Sequence, residues 1–107
     1  YITFGGLPPN KLEGKGKEFY EAYKKRFGAE PEGYSVYSYE ATRVILDALA
    51  RVGKKDRAAL IEAVAATKDY SGVLGTWSFD ANGDTTLRSM SGNTVKNGEF
   101  VFEKALQ

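Results

Sequence analysis

The 107-residue chain contains neither cysteine nor histidine. The first absence excludes disulfides, thiolate nucleophiles and thiolate metal sites. The second removes the usual general base near neutral pH, the commonest zinc ligand and every Ser-His or Cys-His nucleophile pair. An enzyme would have to work with carboxylates alone, and no pair of them has a spacing that recommends it. Charge of one sign is lacking too: 15 Lys+Arg against 14 Asp+Glu leave a net +1, which offers no electrostatic argument for nucleic acid or an anionic membrane. No apolar run approaches the roughly 20 residues of a membrane span, and Tyr1 opens without an initiator Met or a signal-peptide pattern, as in a processed or cut chain. What is present is a hydrophobic fraction of 42% with seven Tyr and six Phe, ample for a folded core. At this length the chain is one small domain.

Tyr1 to Phe4 is a β-prone tetrapeptide stopped by Gly5-Gly6 and Pro8-Pro9. From Lys15 to Phe27 the pattern is helical, with Phe19, Tyr23 and Phe27 at i, i+4 and i+8, and Gly28 and Pro31 stop it. Ser35 can cap a second helix whose apolar positions are Tyr37, Ala41, Val44, Ile45, Ala48, Leu49 and Val52, ended by Gly53. Asp56 caps a third, from Arg57 to about Thr67, carrying Leu60, Ile61 and Val64. From Gly75 the period switches to two: Trp77 and Phe79 alternate with Thr76, Ser78 and Asp80 in a half-buried strand. Leu87 to Lys96 is β-prone but broken by Gly92, and Asn97-Gly98 before Phe100, Val101 and Phe102 is a hairpin signal. The order is strand, three helices, then a β-rich tail.

Three features invite a chemical reading. Asp80, Asn82 and Asp84 have the one-three-five spacing of a calcium loop, but Gly83 is fourth instead of sixth and Ser91 stands where a bidentate Glu is needed, so a plain turn is expected. Gly14 and Gly16 flank lysines before a helix, without the spacing of a phosphate-binding loop, and the lysines are expected to solvate a helix end. Tyr34, Tyr37 and Tyr39 gather at the start of the second helix, where rings with polar tips could form one wall of a small-ligand pocket, although Tyr37 also fits the buried stripe. Trp77 and Phe79 are expected in the core.

The succession KEFYEAYKKRFGAEP, YSVYSYEATRVILDALARVG, YSGVLGTWSFDANGD and VKNGEFVF closely resembles the C-terminal part of periplasmic binding proteins of the branched-chain amino acid type. The matching residues are Phe19, Tyr23, Gly28 and Pro31, then Tyr39, Glu40 and Ala41, then Gly75, Phe79, Asp80, Gly83 and Asp84, and the Asn97-Gly98 hairpin. The resemblance implies an α/β chain forming a partial lobe of the type 1 periplasmic binding fold: a short strand, three helices and a β-rich C-terminal hairpin. It implies a single incomplete domain over 1–107, with residues 1–4 a hinge strand, 14–67 the helical part and 75–103 strands and hairpin. It further implies an extracytoplasmic receptor that captures an amino acid or related small carboxylate by hinge closure and hands it to the membrane subunits of an ABC importer, with no catalysis, cofactor or metal. Tyr39 then falls at the ligand cleft, with Tyr37 as its companion. Most ligand contacts of such receptors lie upstream of the matching segment, so the chain is expected to be a fragment whose apolar stripe through Val44, Ile45, Leu49 and Leu60 is covered by the rest of the receptor or by a homodimer. The competing expectation is a small α+β protein-interaction module without a small-molecule ligand.

Overall fold

A computed structural model describes residues 1–106; Gln107, the last residue of the expected domain, lies outside the described residues. The chain runs β1 (Ile2–Gly5), a 3-10 turn at Pro9–Lys11, α1 (Lys15–Phe27), α2 (Ser35–Val52), α3 (Arg57–Ala65), β2 (Tyr70–Gly72), β3 (Gly75–Trp77), β4 (Met90–Lys96) and β5 (Glu99–Leu106). The α/β class and the three helices are as expected. Gly28 and Gly53 end α1 and α2 at φ 67° and 68°, each donating its N–H to the carbonyl four residues back, a left-handed closure that a Cβ would strain. At the start of α3 the Asp56 carboxylate accepts the Ala59 N–H at 3.0 Å, as its position predicts. Ser35 is no cap. It is the first helical residue of α2, Tyr34 takes the cap position in a helical conformation, and no side chain closes that end.

The strands form two separate sheets. In the larger, β4 is central, antiparallel to both β1 and β5, in the order β1-β4-β5. The β4–β5 turn places Asn97 and Gly98 at φ 52° and 81°, the paired positive values that a tight two-residue hairpin demands. The break expected at Gly92 is a shift of register between Gly92 and Asn93 within a continuous strand. The second sheet is the short ribbon β2–β3, whose first strand the sequence pattern did not suggest. The molecule is elongated, 51 × 33 × 22 Å, with the β1-β4-β5 sheet at one end and helices plus ribbon at the other.

The core lies between α2 and the ribbon. Along α2 the buried residues are Val36, Glu40, Val44 and Ala48, a stripe repeating every four residues, and opposite them Val73 and Trp77 are buried. This stripe is rotated from the expected one: Val44 and Ala48 are inside as anticipated, but Ala41, Ile45 and Leu49 are exposed and Tyr37 is half-buried. The ribbon is narrow and covers only one side of the helix. Ile45, Leu46, Leu49 and Ile61 therefore form an apolar surface open to solvent.

Candidate functional site

The buried stripe carries one charged residue. Glu40 is 2% exposed, and its carboxylate accepts three N–H groups from the ribbon: Val73 N at 2.9 Å on Oε2, and Leu74 N at 3.3 Å and the Trp77 indole at 2.9 Å on Oε1. A carboxylate leaves water at great cost unless its lone pairs are filled, and here the turn of the ribbon fills them. Gly72 makes the approach possible, because a Cβ at that position would fall on the Glu40 carboxylate. Tyr70 adds a second tie to α2 by donating its hydroxyl to Asp47 at 3.0 Å. Burial pushes the Tyr70 phenol above its ordinary range, and the Asp47 carboxylate beside it adds to the effect.

The three tyrosines of the α2 entrance point in different directions. Tyr34 packs edge-on against Phe4 of β1, with centroids 5.5 Å apart. Tyr37 donates its hydroxyl to the Gly5 carbonyl at 3.1 Å, and burial raises its phenol, with a smaller contribution from Tyr34. Tyr39 turns the other way and stacks on Phe19 of α1 at 4.9 Å while remaining 44% exposed.

Two concavities follow from this division. One, of about 730 Å³, lies between α1, α2 and β2; Phe19, Tyr23 and Tyr39 supply aromatic walls, and Lys15, Arg26 and Arg43 stand around them. Lys15 reaches across it to donate to the Ser71 carbonyl at 2.6 Å, so it ties α1 to the ribbon instead of only solvating a helix end. Gly16, next to it, is buried and lets α1 approach Val73. The other cavity, about 570 Å³, lies on the opposite side of α2 and is more apolar, lined by Tyr37, Ala41, Val44, Ile45, Trp77 and Phe79 among others. Tyr37 and Tyr39 thus line different cavities, and Glu40 lines both.

The Asp80–Asp84 segment is a turn, as expected: Asp80 Oδ1 accepts the N–H groups of Asn82 and Asp84, and Phe79 bridges to Thr85 across it. Among the described residues no cluster of three or more acidic side chains could hold a metal. Trp77 is buried as anticipated, while Phe79 is half-buried and meets Trp77 edge-on at 5.0 Å. The residues that pattern reading missed are Glu40, Tyr70 and Lys15. A signal existed for Glu40: an acid exactly four residues from Val36 and from Val44 sits on an apolar stripe and must find donors. Aromatic walls with a cationic rim are the kind of lining that small-molecule pockets use, here on an α/β scaffold, while the Glu40 carboxylate is already filled by the ribbon.

A family model described as periplasmic binding protein matches residues 2–99. A Leu/Ile/Val-binding protein homologue of Brucella abortus is 37% identical over 89 residues, covering 79% of this chain and 22% of its own length. Among solved structures, a leucine-binding protein, LivK, from Thermotoga maritima superposes with a TM-score of 0.80 at 34% identity, over 97% of this chain and 29% of its own. The branched-chain amino acid transporter substrate-binding protein LivJ from Streptococcus pneumoniae, solved in complex with isoleucine, gives 0.77 at 28% identity, over 96% of this chain and 28% of its own. The chain belongs to the periplasmic binding protein family. It spans 22% of the length of the curated relatives it matches. Family and fold are those of solute-binding proteins of ABC transporters and not of enzymes, and the family match favours this over a free-standing interaction module.

Proposed function

We propose that this chain is a segment of the extracytoplasmic substrate-binding component of an ABC importer, and that the receptor captures leucine, isoleucine, valine or a related small carboxylate by hinge closure before delivery to the membrane subunits. The observation that carries the reading is the match over nearly the whole chain, at 34% identity, to a leucine-binding protein. The relatives at 37% identity, named for Leu/Ile/Val binding, support the same ligand class. In this reading the segment contributes scaffold more than ligand contacts. Tyr39, with its ring stacked on Phe19 and a large exposed edge, is the contact this segment offers, and Tyr37 acts from the other side of α2. The open apolar row through Ile45, Leu46 and Leu49 is covered by other receptor residues or by a second copy.

Thermal-shift and calorimetric titration of the receptor polypeptide containing this segment, against leucine, isoleucine, valine, polar amino acids and benzoate, tests the reading. A ligand that binds only the folded state raises the melting temperature. The branched-chain amino acids should do so, and Tyr39→Ala should weaken them about tenfold, equivalent to about 1.4 kcal/mol for one aromatic wall. A receptor that melts cooperatively and responds neither to the amino acids nor to benzoate would refute it.

A further inference from the structure

Lys15 stands where a helix has least use for a cation. It is the first residue of α1, at the end where unpaired N–H groups already present partial positive charge, and Glu18 is the only acid in that turn. A residue that breaks a local rule is expected to be held by a distant partner. Here the Lys15 ammonium donates to the Ser71 carbonyl at 2.6 Å and to the Ser71 hydroxyl at 3.3 Å. The same turn of the ribbon is held from α2, where the Glu40 carboxylate accepts the Val73 and Leu74 N–H groups. Residues 71–74 are therefore gripped at opposite poles of their backbone, by a cation on a carbonyl and by an anion on amide hydrogens, and both sets of bonds are charge-assisted.

Little else joins α1 to α2. Among the described residues the α1 backbone packs closely only on the 3-10 turn at Pro9–Lys11. The Glu30 carboxylate, which accepts the Tyr20 hydroxyl at 2.6 Å, ties α1 to the loop that follows it and not to α2. Between the Lys15 end and that loop, the Phe19 ring meets Tyr39 at 4.9 Å in the wall of the larger cavity.

We propose that Lys15 is a positioning residue: through residues 71–74 and Glu40 it docks α1 against α2, and so fixes how far Phe19 stands from Tyr39 in the cleft between the two helices. Lys15 does not touch solute in this view, because its ammonium is turned to Ser71. The consequence for a ligand rests on the receptor reading above, whereas the docking itself does not.

Amide hydrogen exchange on the receptor polypeptide containing this segment, without ligand, reads the docking, and calorimetric titration with leucine and with benzoate reads its consequence. Lys15→Met keeps the aliphatic stem and removes the donor. Because the bond is exposed to solvent, exchange across α1 should become about fivefold faster, and the solute that the native receptor binds should bind about fivefold more weakly. Exchange in α2 and at Val73, which Glu40 holds, should stay native. Lys15→Arg can still donate to the Ser71 carbonyl and should restore both readings. Native exchange in the α1 of Lys15→Met would overturn the proposal, as would an arginine variant that behaves like the methionine one. Lost affinity without faster exchange would overturn it too, since Lys15 would then be a ligand contact, and faster exchange throughout the segment would show that it holds the fold instead. Faster exchange in α1 with native affinity would refute its part in the cleft. A native receptor that binds neither the amino acids nor benzoate would count against the receptor reading, and the exchange comparison would still decide the docking.

Discussion

Removing the Glu40 carboxylate should destabilise the fold far more than an ordinary surface acid, and the geometry says by how much. In Glu40→Ala the Val73 and Trp77 N–H groups, both in residues less than 10% exposed, lose their acceptor, and the half-buried Leu74 N–H loses a weaker one. A buried donor left unpaired costs about 1–3 kcal/mol, so the two short bonds alone amount to about 2–6 kcal/mol. For a domain whose total stability is about 5–15 kcal/mol, that is a large fraction. Glu40→Gln discriminates between two views of the same charge. If the carboxylate were a poorly compensated buried ion, neutralising it would be neutral or stabilising. With all three acceptor positions filled, an amide must present its NH2 to at least one N–H, and the loss should be about 1–3 kcal/mol. Gly72→Ala reaches the same bonds from the other partner, because its methyl would displace the carboxylate, and the double variant should lose much less than the sum of the singles. Urea unfolding followed by the fluorescence of Trp77, the single tryptophan, reads each effect at the site itself. A Glu40→Ala chain within about 0.5 kcal/mol of the native one, or a Glu40→Gln chain more stable than native, would refute the reasoning.

Three further outcomes follow from the same contacts. Asp56→Ala removes the cap of α3 and should lower the melting midpoint by a few degrees; because the capped carboxyl is held below its ordinary value, chiefly by the Ala59 N–H, the difference is present above about pH 4 and disappears as pH falls through the depressed folded value. At alkaline pH the folded state holds the Tyr70 proton more tightly than the unfolded chain, so this contribution is intact below the ordinary phenol value near 10 and is lost as pH rises through the higher folded one; the urea midpoint should fall more steeply above pH 10 in the native chain than in Tyr70→Phe, and parallel profiles would contradict it. Without receptor residues over Ile45, Leu46, Leu49 and Ile61, the isolated chain should self-associate at micromolar concentration; Leu46→Lys should return it to a monomer in sedimentation velocity, and a native chain already monomeric would contradict the expectation.

The helices were legible because each carries its own boundary chemistry: the Lys15–Phe27 span ends at a left-handed glycine, and Asp56 caps the helix that follows it. The β4–β5 hairpin was legible for the same reason, since Asn97-Gly98 specifies its turn locally. What escaped depends on partners distant in sequence. Tyr70–Gly72 has too few residues for a strand pattern and is ordered by Glu40, some 33 residues away, and by pairing with β3. The buried face of α2 was misplaced because periodicity gives a stripe, and its width depends on what packs there; the narrow ribbon covers Val36 to Ala48 and leaves Ile45 and Leu49 bare. The division of the tyrosines was available in the sequence and was missed. Residues two apart on a helix are about 200° apart around its axis, so Tyr37 and Tyr39 could not have shared a wall.

That angular arithmetic also explains why α2 can serve two ends of the molecule at once. Tyr37 and Glu40, three residues apart, are separated by only about 60° on the helix surface, and from that side they hold the β1 crossing and the ribbon respectively. Tyr39 points away from both, toward α1. If the proposed receptor reading holds, a change at Tyr39 should alter what the Phe19 cleft accepts without loosening either attachment, whereas a change at Glu40 loosens the ribbon that forms part of both cavities. Variation in ligand preference within such a scaffold is expected at Tyr39 and the cationic rim of Arg26 and Arg43, while Glu40 and Gly72 must change together or not at all.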